Sequence, residues 1–128
     1  MYSVPDWLSL TKEETIDPSL AICDPHHHLW SNRPNSQPST YLLNDFLSDV
    51  HAGGHNIVSS VFVECGTMFT TDGPVNLQPI GETQFVNDIA DKSASGLYGP
   101  TRVAAGIVGT AFLDAGDSVA SVLDAQLD

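Results

Sequence analysis

The chain has 128 residues and carries four Lys or Arg against sixteen Asp or Glu, for a formal net charge of −12 at pH 7. A domain of about 100–150 residues is the commonest size and buries a proper core, but Arg33 and Arg102 lie far apart with no basic cluster near either, which excludes nucleic acid and anionic membranes as partners. No stretch approaches the roughly 20 apolar residues of a membrane span and the first ten residues lack a secretory pattern, so the expected compartment is the cytoplasm. Cys23 and Cys65 lack the spacing of a structural zinc site and read as small buried hydrophobes.

Residues 1–20 read as an irregular arm in which Pro5, Asp6, Asp17 and Pro18 break any helical period, while Trp7, Leu8 and Leu10 are positioned to pack it against the body at 21–128. Residues 20–24 (LAICD) form a short apolar run expected to be a buried strand, ended by Pro25 and followed by three histidines. A polar loop with Pro34 and Pro38 comes next. Leu42, Leu43, Phe46, Leu47 and Val50 then mark one face of an amphipathic helix closed by Gly53 and Gly54.

The same order of events repeats. Residues 57–64 (IVSSVFVE) are β-branched and apolar, as in a strand between two layers. The loop at 65–80 is long enough to be functional rather than a mere connector, and the spacing of Phe85, Val86, Ile89 and Ala90 predicts a helix over 82–93. Residues 102–108 (RVAAGIV) make a third strand, and 117–127 a third helix with Val119, Val122, Leu123 and Leu127 on one stripe. Strand and helix alternating three times imply parallel strands with right-handed crossovers, an α/β architecture. Three parallel strands leave two open edges, so the pattern reads as the opening portion of a larger domain, with a compact three-layer mini-domain as the alternative, or as a chain that pairs those edges by self-association.

The residues with most chemical content are the DPHHHLW run at 24–30, at the carboxyl end of the first strand. In an extended segment, side chains two apart share a face, so His26 and His28 can aim at a single divalent ion while His27 points the other way. Sites in α/β sheets and barrels lie at the carboxyl ends of strands. A catalytic zinc needs three protein ligands and an open position. His51 and His55 are misplaced to supply the third, so any remaining ligand is expected outside this chain or on another copy. Glu64, closing the second strand at the same end, is the candidate substrate contact. No Gly-rich phosphate loop and no nucleophile elbow follows any strand, which removes nucleotide binding and serine hydrolysis.

Taken together and in order, DPHHHLW at 24–30, VFVECG at 61–66, GETQFVN at 81–87 and YGPTRVAAGIVG at 98–109 resemble the amino-terminal part of the amidohydrolase-related family of metal-dependent TIM-barrel hydrolases. The resemblance implies that the three strand–helix rounds are the first three units of a (β/α)8 barrel, incomplete in this chain. It also implies that His26 and His28 are metal ligands or substrate contacts, with zinc the first choice of metal, although some lactonases of the group work without one. Thr110 stands where relatives are expected to carry His. The implied activity is hydrolysis of a lactone or related carbonyl compound, a small-molecule substrate, with decarboxylation of an aromatic acid as the alternative. A non-catalytic fragment acting only through association is the reading outside the enzymes.

Overall fold

The computed structural model describes residues 6, 7 and 9–127. Three strands, β1 (Ala21–His27), β2 (Asn56–Val63) and β3 (Arg102–Val108), pair in parallel in the order β1-β2-β3. Helix α1 (Leu43–Ala52) joins β1 to β2, α2 (Ile80–Ala94) joins β2 to β3, and α3 (Ala120–Leu127) follows β3. Each strand is rich in β-branched or small residues that suit a pleated surface, and α1 and α2 lie in crossovers of the length that parallel pairing demands.

The core is one cluster. Leu43, Phe46 and Leu47 of α1 and Val86 and Ile89 of α2 meet Leu29, Phe62, Val103 and Ala104. Phe62, Leu29 and Val86 are fully buried. Along β2, Ser60 and Phe62 are buried while Val61 and Val63 on the opposite face are only half-buried, the two-residue period of a sheet covered on one side. This overturns the expectation of a barrel segment. The fold is a compact three-stranded α/β sheet whose helices α1 and α2 close the core over it. Apolar strands at helix-length spacing are shared by barrels and small open sheets, so that pattern alone does not choose between them.

Side chains repair the sheet where the backbone ladder fails. Ala104 sits at φ +52 and the β2–β3 register shifts between Ser59 and Val61. There the Ala104 N–H donates to the Ser60 hydroxyl at 3.1 Å, and the Val103 N–H to the Ser93 hydroxyl at 2.9 Å. A buried N–H left without a partner costs about 1–3 kcal/mol, which is why polar serines are found inside.

Several local expectations are corrected. β1 does not end at Pro25 but runs to His27 across a bulge between Asp24 and His27, because an edge strand tolerates the missing N–H of a proline. The predicted third helix begins as a 3-10 stretch (Leu113–Val119), interrupted at Gly116 with φ +59, and only Val122 of its apolar stripe is buried. In the arm, Trp7 and Leu10 are mostly exposed and pack nothing away, while Leu8 and residues 1–5 lie outside the described residues. Cys23 is exposed and Cys65 half-buried, both as free thiols, so the expectation of two buried cysteines fails at Cys23. Among the described residues no helix is long and apolar enough to cross a membrane.

Candidate functional site

The exits of β1 and β2 lie side by side, and the three histidines divide between core and rim. His27 and Leu29 point inward, at 7% and 0% exposure, so His26 and His28 are forced to the other face. The His27 ring packs at 4.5 Å on Phe46 and edge-on to Phe62. Its Nδ1 lies 2.9 Å from the Val61 carbonyl, and its Nε2 is buried with no partner. Burial pushes the His27 pKa below the ordinary imidazole value. This histidine is structural, held neutral by its surroundings.

His26 and His28 converge instead. Their Nε2 atoms are 3.3 Å apart, with the rings nearly perpendicular and their centroids 4.9 Å apart. His28 Nδ1 stands 2.7 Å from the Val63 carbonyl. A carbonyl only accepts, so Nδ1 carries the proton and Nε2 presents a lone pair. With His28 as that tautomer, its lone pair accepts from His26 Nε2–H, a proton that must move to His26 Nδ1 before both Nε2 atoms can ligate a metal. Tetrahedral zinc, with Zn–N bonds of about 2.0–2.1 Å, separates two of its nitrogens by about 3.3 Å. The spacing of the two Nε2 atoms therefore matches two corners of such a site, in which the Val63 carbonyl would hold the His28 ring in one tautomer. Asp24 stiffens the approach by accepting the His26 backbone N–H at 3.1 Å.

The other predicted contact, Glu64, follows Val63 at the same end of the sheet. Glu64 is exposed at the exit of β2, where its backbone N–H donates to Val108. Among the described residues no group of three or more His, Cys, Asp or Glu is gathered as a metal would require. His51 lies on α1, and His55 lines the same cavity as His28, but neither is gathered with the pair into a three-ligand group among the described residues. A cavity of about 370 Å³ beside β1 is lined by Asp24, His27, His28, Trp30, Tyr41 and Phe46, among others. Within its wall the Tyr41 hydroxyl donates to Asp49 at 2.6 Å, and burial together with that acceptor raises the Tyr41 pKa. The Cys65 thiol, 3.6 Å from the Leu29 carbonyl, is pushed up to about 11 by burial and by the nearby Glu82 carboxylate, so it remains protonated and unreactive.

Glu82 is the residue that sequence reasoning missed. It is 2% exposed in the first turn of α2, where its Oε1 accepts the Cys65 and Thr67 N–H groups. A signal was present: Glu82, Val86, Ile89 and Ser93 follow one helical stripe, and a carboxylate on an apolar stripe needs a reason to be there.

Comparison with known proteins adds one relative. The uncharacterized protein y4mH of Sinorhizobium fredii is 34% identical to this chain over 91 residues, 57% of this chain and 28% of the relative. The matched part of the chain thus spans 28% of that relative's length. No family profile matches the chain, and no solved structure matches it.

Proposed function

We propose that His26 and His28 bind a divalent metal, zinc by the chemistry of the donors, as part of a hydrolytic site of the amidohydrolase-related type acting on a lactone or similar carbonyl compound. The observation that carries the metal reading is the 3.3 Å approach of two Nε2 atoms, one with its tautomer set by the Val63 carbonyl. The hydrolytic part rests on the ordered motif resemblance at 24–30, 61–66, 81–87 and 98–109. A divalent ion bound there would polarise a carbonyl oxygen and lower the pKa of a bound water toward about 7. The chain's own contribution is to hold two imidazoles at a fixed spacing on a strand exit, at the rim where a small molecule has access. With no third side-chain ligand gathered among the described residues, the pair supplies binding and orientation rather than a complete catalytic set, and efficient turnover is not expected from it alone. Two free thiols suit a reducing compartment, which favours the cytoplasm.

The test is a calorimetric titration of the chain with Zn²⁺, alongside His26→Ala and His28→Ala. One-to-one binding lost in both variants is the expected outcome. Binding that survives both substitutions, or no binding to the parent chain, overturns the metal reading. Efficient lactone hydrolysis by the pure chain, lost in His26→Ala, would overturn the expectation that the pair is insufficient alone.

A further inference from the structure

Among the described residues the carboxylates of this acidic chain are mostly solvated, and Glu82 is the exception at 2% exposure. Both of its hydrogen bonds end on one oxygen: Oε1 accepts from Cys65 N–H at 3.1 Å and from Thr67 N–H at 2.9 Å, while Oε2 is buried with no partner. The helix turn that carries it is pressed against the same loop. A Cβ at the neighbouring Gly81 would lie 2.6 Å from the Met68 carbonyl oxygen and 2.6 Å from the Thr70 nitrogen, so only glycine admits this approach. Within the loop Met68 holds φ +57, a left-handed conformation that costs a non-glycine residue and persists only where its surroundings impose it.

What the loop is held for follows from where it begins. The Val63–Glu64 peptide is the last to be held by the sheet: its N–H donates to Val108 at 2.9 Å, and its carbonyl receives His28 Nδ1–H at 2.7 Å. Beyond it the ladder is over, and Cys65 and Thr67 would have orphaned N–H groups without Glu82. Cys65 also turns its thiol to the Leu29 carbonyl, the residue after His28, so the two strand exits are joined at that point.

We propose that Glu82 is the positioning residue of the His26–His28 pair: its Oε1 seats the exit of β2 so that the Val63 carbonyl holds His28 with the proton on Nδ1 and the lone pair on Nε2. The consequence for metal binding rests on the function proposed above, but the orientation itself belongs to the metal-free chain. Because both hydrogen bonds end on a single oxygen, the acceptor holds the exit and the charge is dispensable, so an amide serves in its place.

The experiment is a long-range proton–nitrogen correlation of the histidine rings in the ¹⁵N-labelled, metal-free full chain at a pH of about 8, above the ordinary imidazole range. The parent chain and Glu82→Gln are expected to show His28 with one protonated Nδ1 and one unprotonated Nε2. Glu82→Ala is expected to show averaged ring-nitrogen shifts from mixed tautomers. Glu82→Asp, which keeps an acceptor but shortens its reach by a methylene, is expected to do the same and decides the matter if the alanine variant does not fold. A parallel Zn²⁺ titration should show affinity about 10-fold weaker in the alanine or aspartate variant and unchanged in Glu82→Gln, the scale usual for losing an outer support of a ligand. Parent-like tautomers in both the alanine and aspartate variants, or mixed tautomers in Glu82→Gln, overturn the proposal. A parent chain that binds no zinc overturns the metal reading and leaves the tautomer comparison to decide the role of Glu82.

Discussion

The exits of β1 and β2 and the region that follows β3 carry similar apolar periodicity and end in opposite ways. At the first two exits, side chains catch several backbone groups: Asp24 the His26 N–H, His28 the Val63 carbonyl, and Glu82 the Cys65 and Thr67 N–H groups. After β3 the chief such contact is Gln126 Nε2 donating to the Thr110 carbonyl at 2.6 Å, and the segment leaves Leu113 and Leu127 at 73% and 87% exposure. A strand exit becomes a place for chemistry when side chains take over the backbone's hydrogen bonds, because only then do neighbouring rings stay at fixed spacing. Where no surface opposes the apolar stripe, the same residue types remain on the outside.

The contrast is broken most severely at its centre. Phe62 is fully buried beneath the His27 ring, and Phe62→Ala is expected to cost about 3–5 kcal/mol in a urea denaturation experiment. A loss below about 1 kcal/mol would mean that the sheet face is not the core described here. Next comes Gly81→Ala, whose added methyl would collide with the Met68 and Thr70 backbone and force the loop off α2 at about 1–3 kcal/mol. Protection of the Cys65 and Thr67 amides from hydrogen exchange should fall with it, and unchanged protection would contradict the clamp.

A smaller effect depends on pH. Burial lowers the folded-state pKa of His27 below its unfolded value of about 6.5, so the unfolded chain binds the proton more readily. Its neutral form therefore supports the fold fully above about pH 6.5, and that support declines as pH falls from there toward the folded pKa. Urea midpoints across this window should fall less steeply for His27→Gln than for the parent, and identical slopes would show that His27 titrates as freely as an exposed ring. At the other end of the scale, Leu127→Ala is expected to change stability by less than about 0.5 kcal/mol, given its 87% exposure. A larger loss would reveal that this region is covered in solution.

Much of the architecture was legible because apolar periodicity records which face of an element is buried. The apolar run at 102–108 predicts a strand and forms one with the same bounds, and the α1 stripe of Leu43, Phe46 and Leu47 is the buried one. The apolar spacing predicts Phe85 and Ala90 on the buried face of α2, but these only flank the core, while Glu82 and Ser93 are buried beside Val86 and Ile89. Polar residues inside are invisible to a hydrophobic count, since the N–H groups they satisfy belong to distant positions. The barrel expectation failed for a related reason, because alternation of strand and helix specifies parallel crossovers but not how many strands the sheet gathers.

Three parallel strands joined by helices, and a histidine run whose members alternate across a strand exit, were determined by the sequence alone, because both follow from the local periods of side chains along the backbone. That His27 belongs to the core, that the Nε2 atoms of His26 and His28 meet at 3.3 Å, and that Glu82 holds the next exit were decided only by the tertiary structure. Each of these joins elements 15 or more residues apart or depends on what opposes them, and local pattern carries no record of which carbonyl, ring or amide a folded chain will bring alongside.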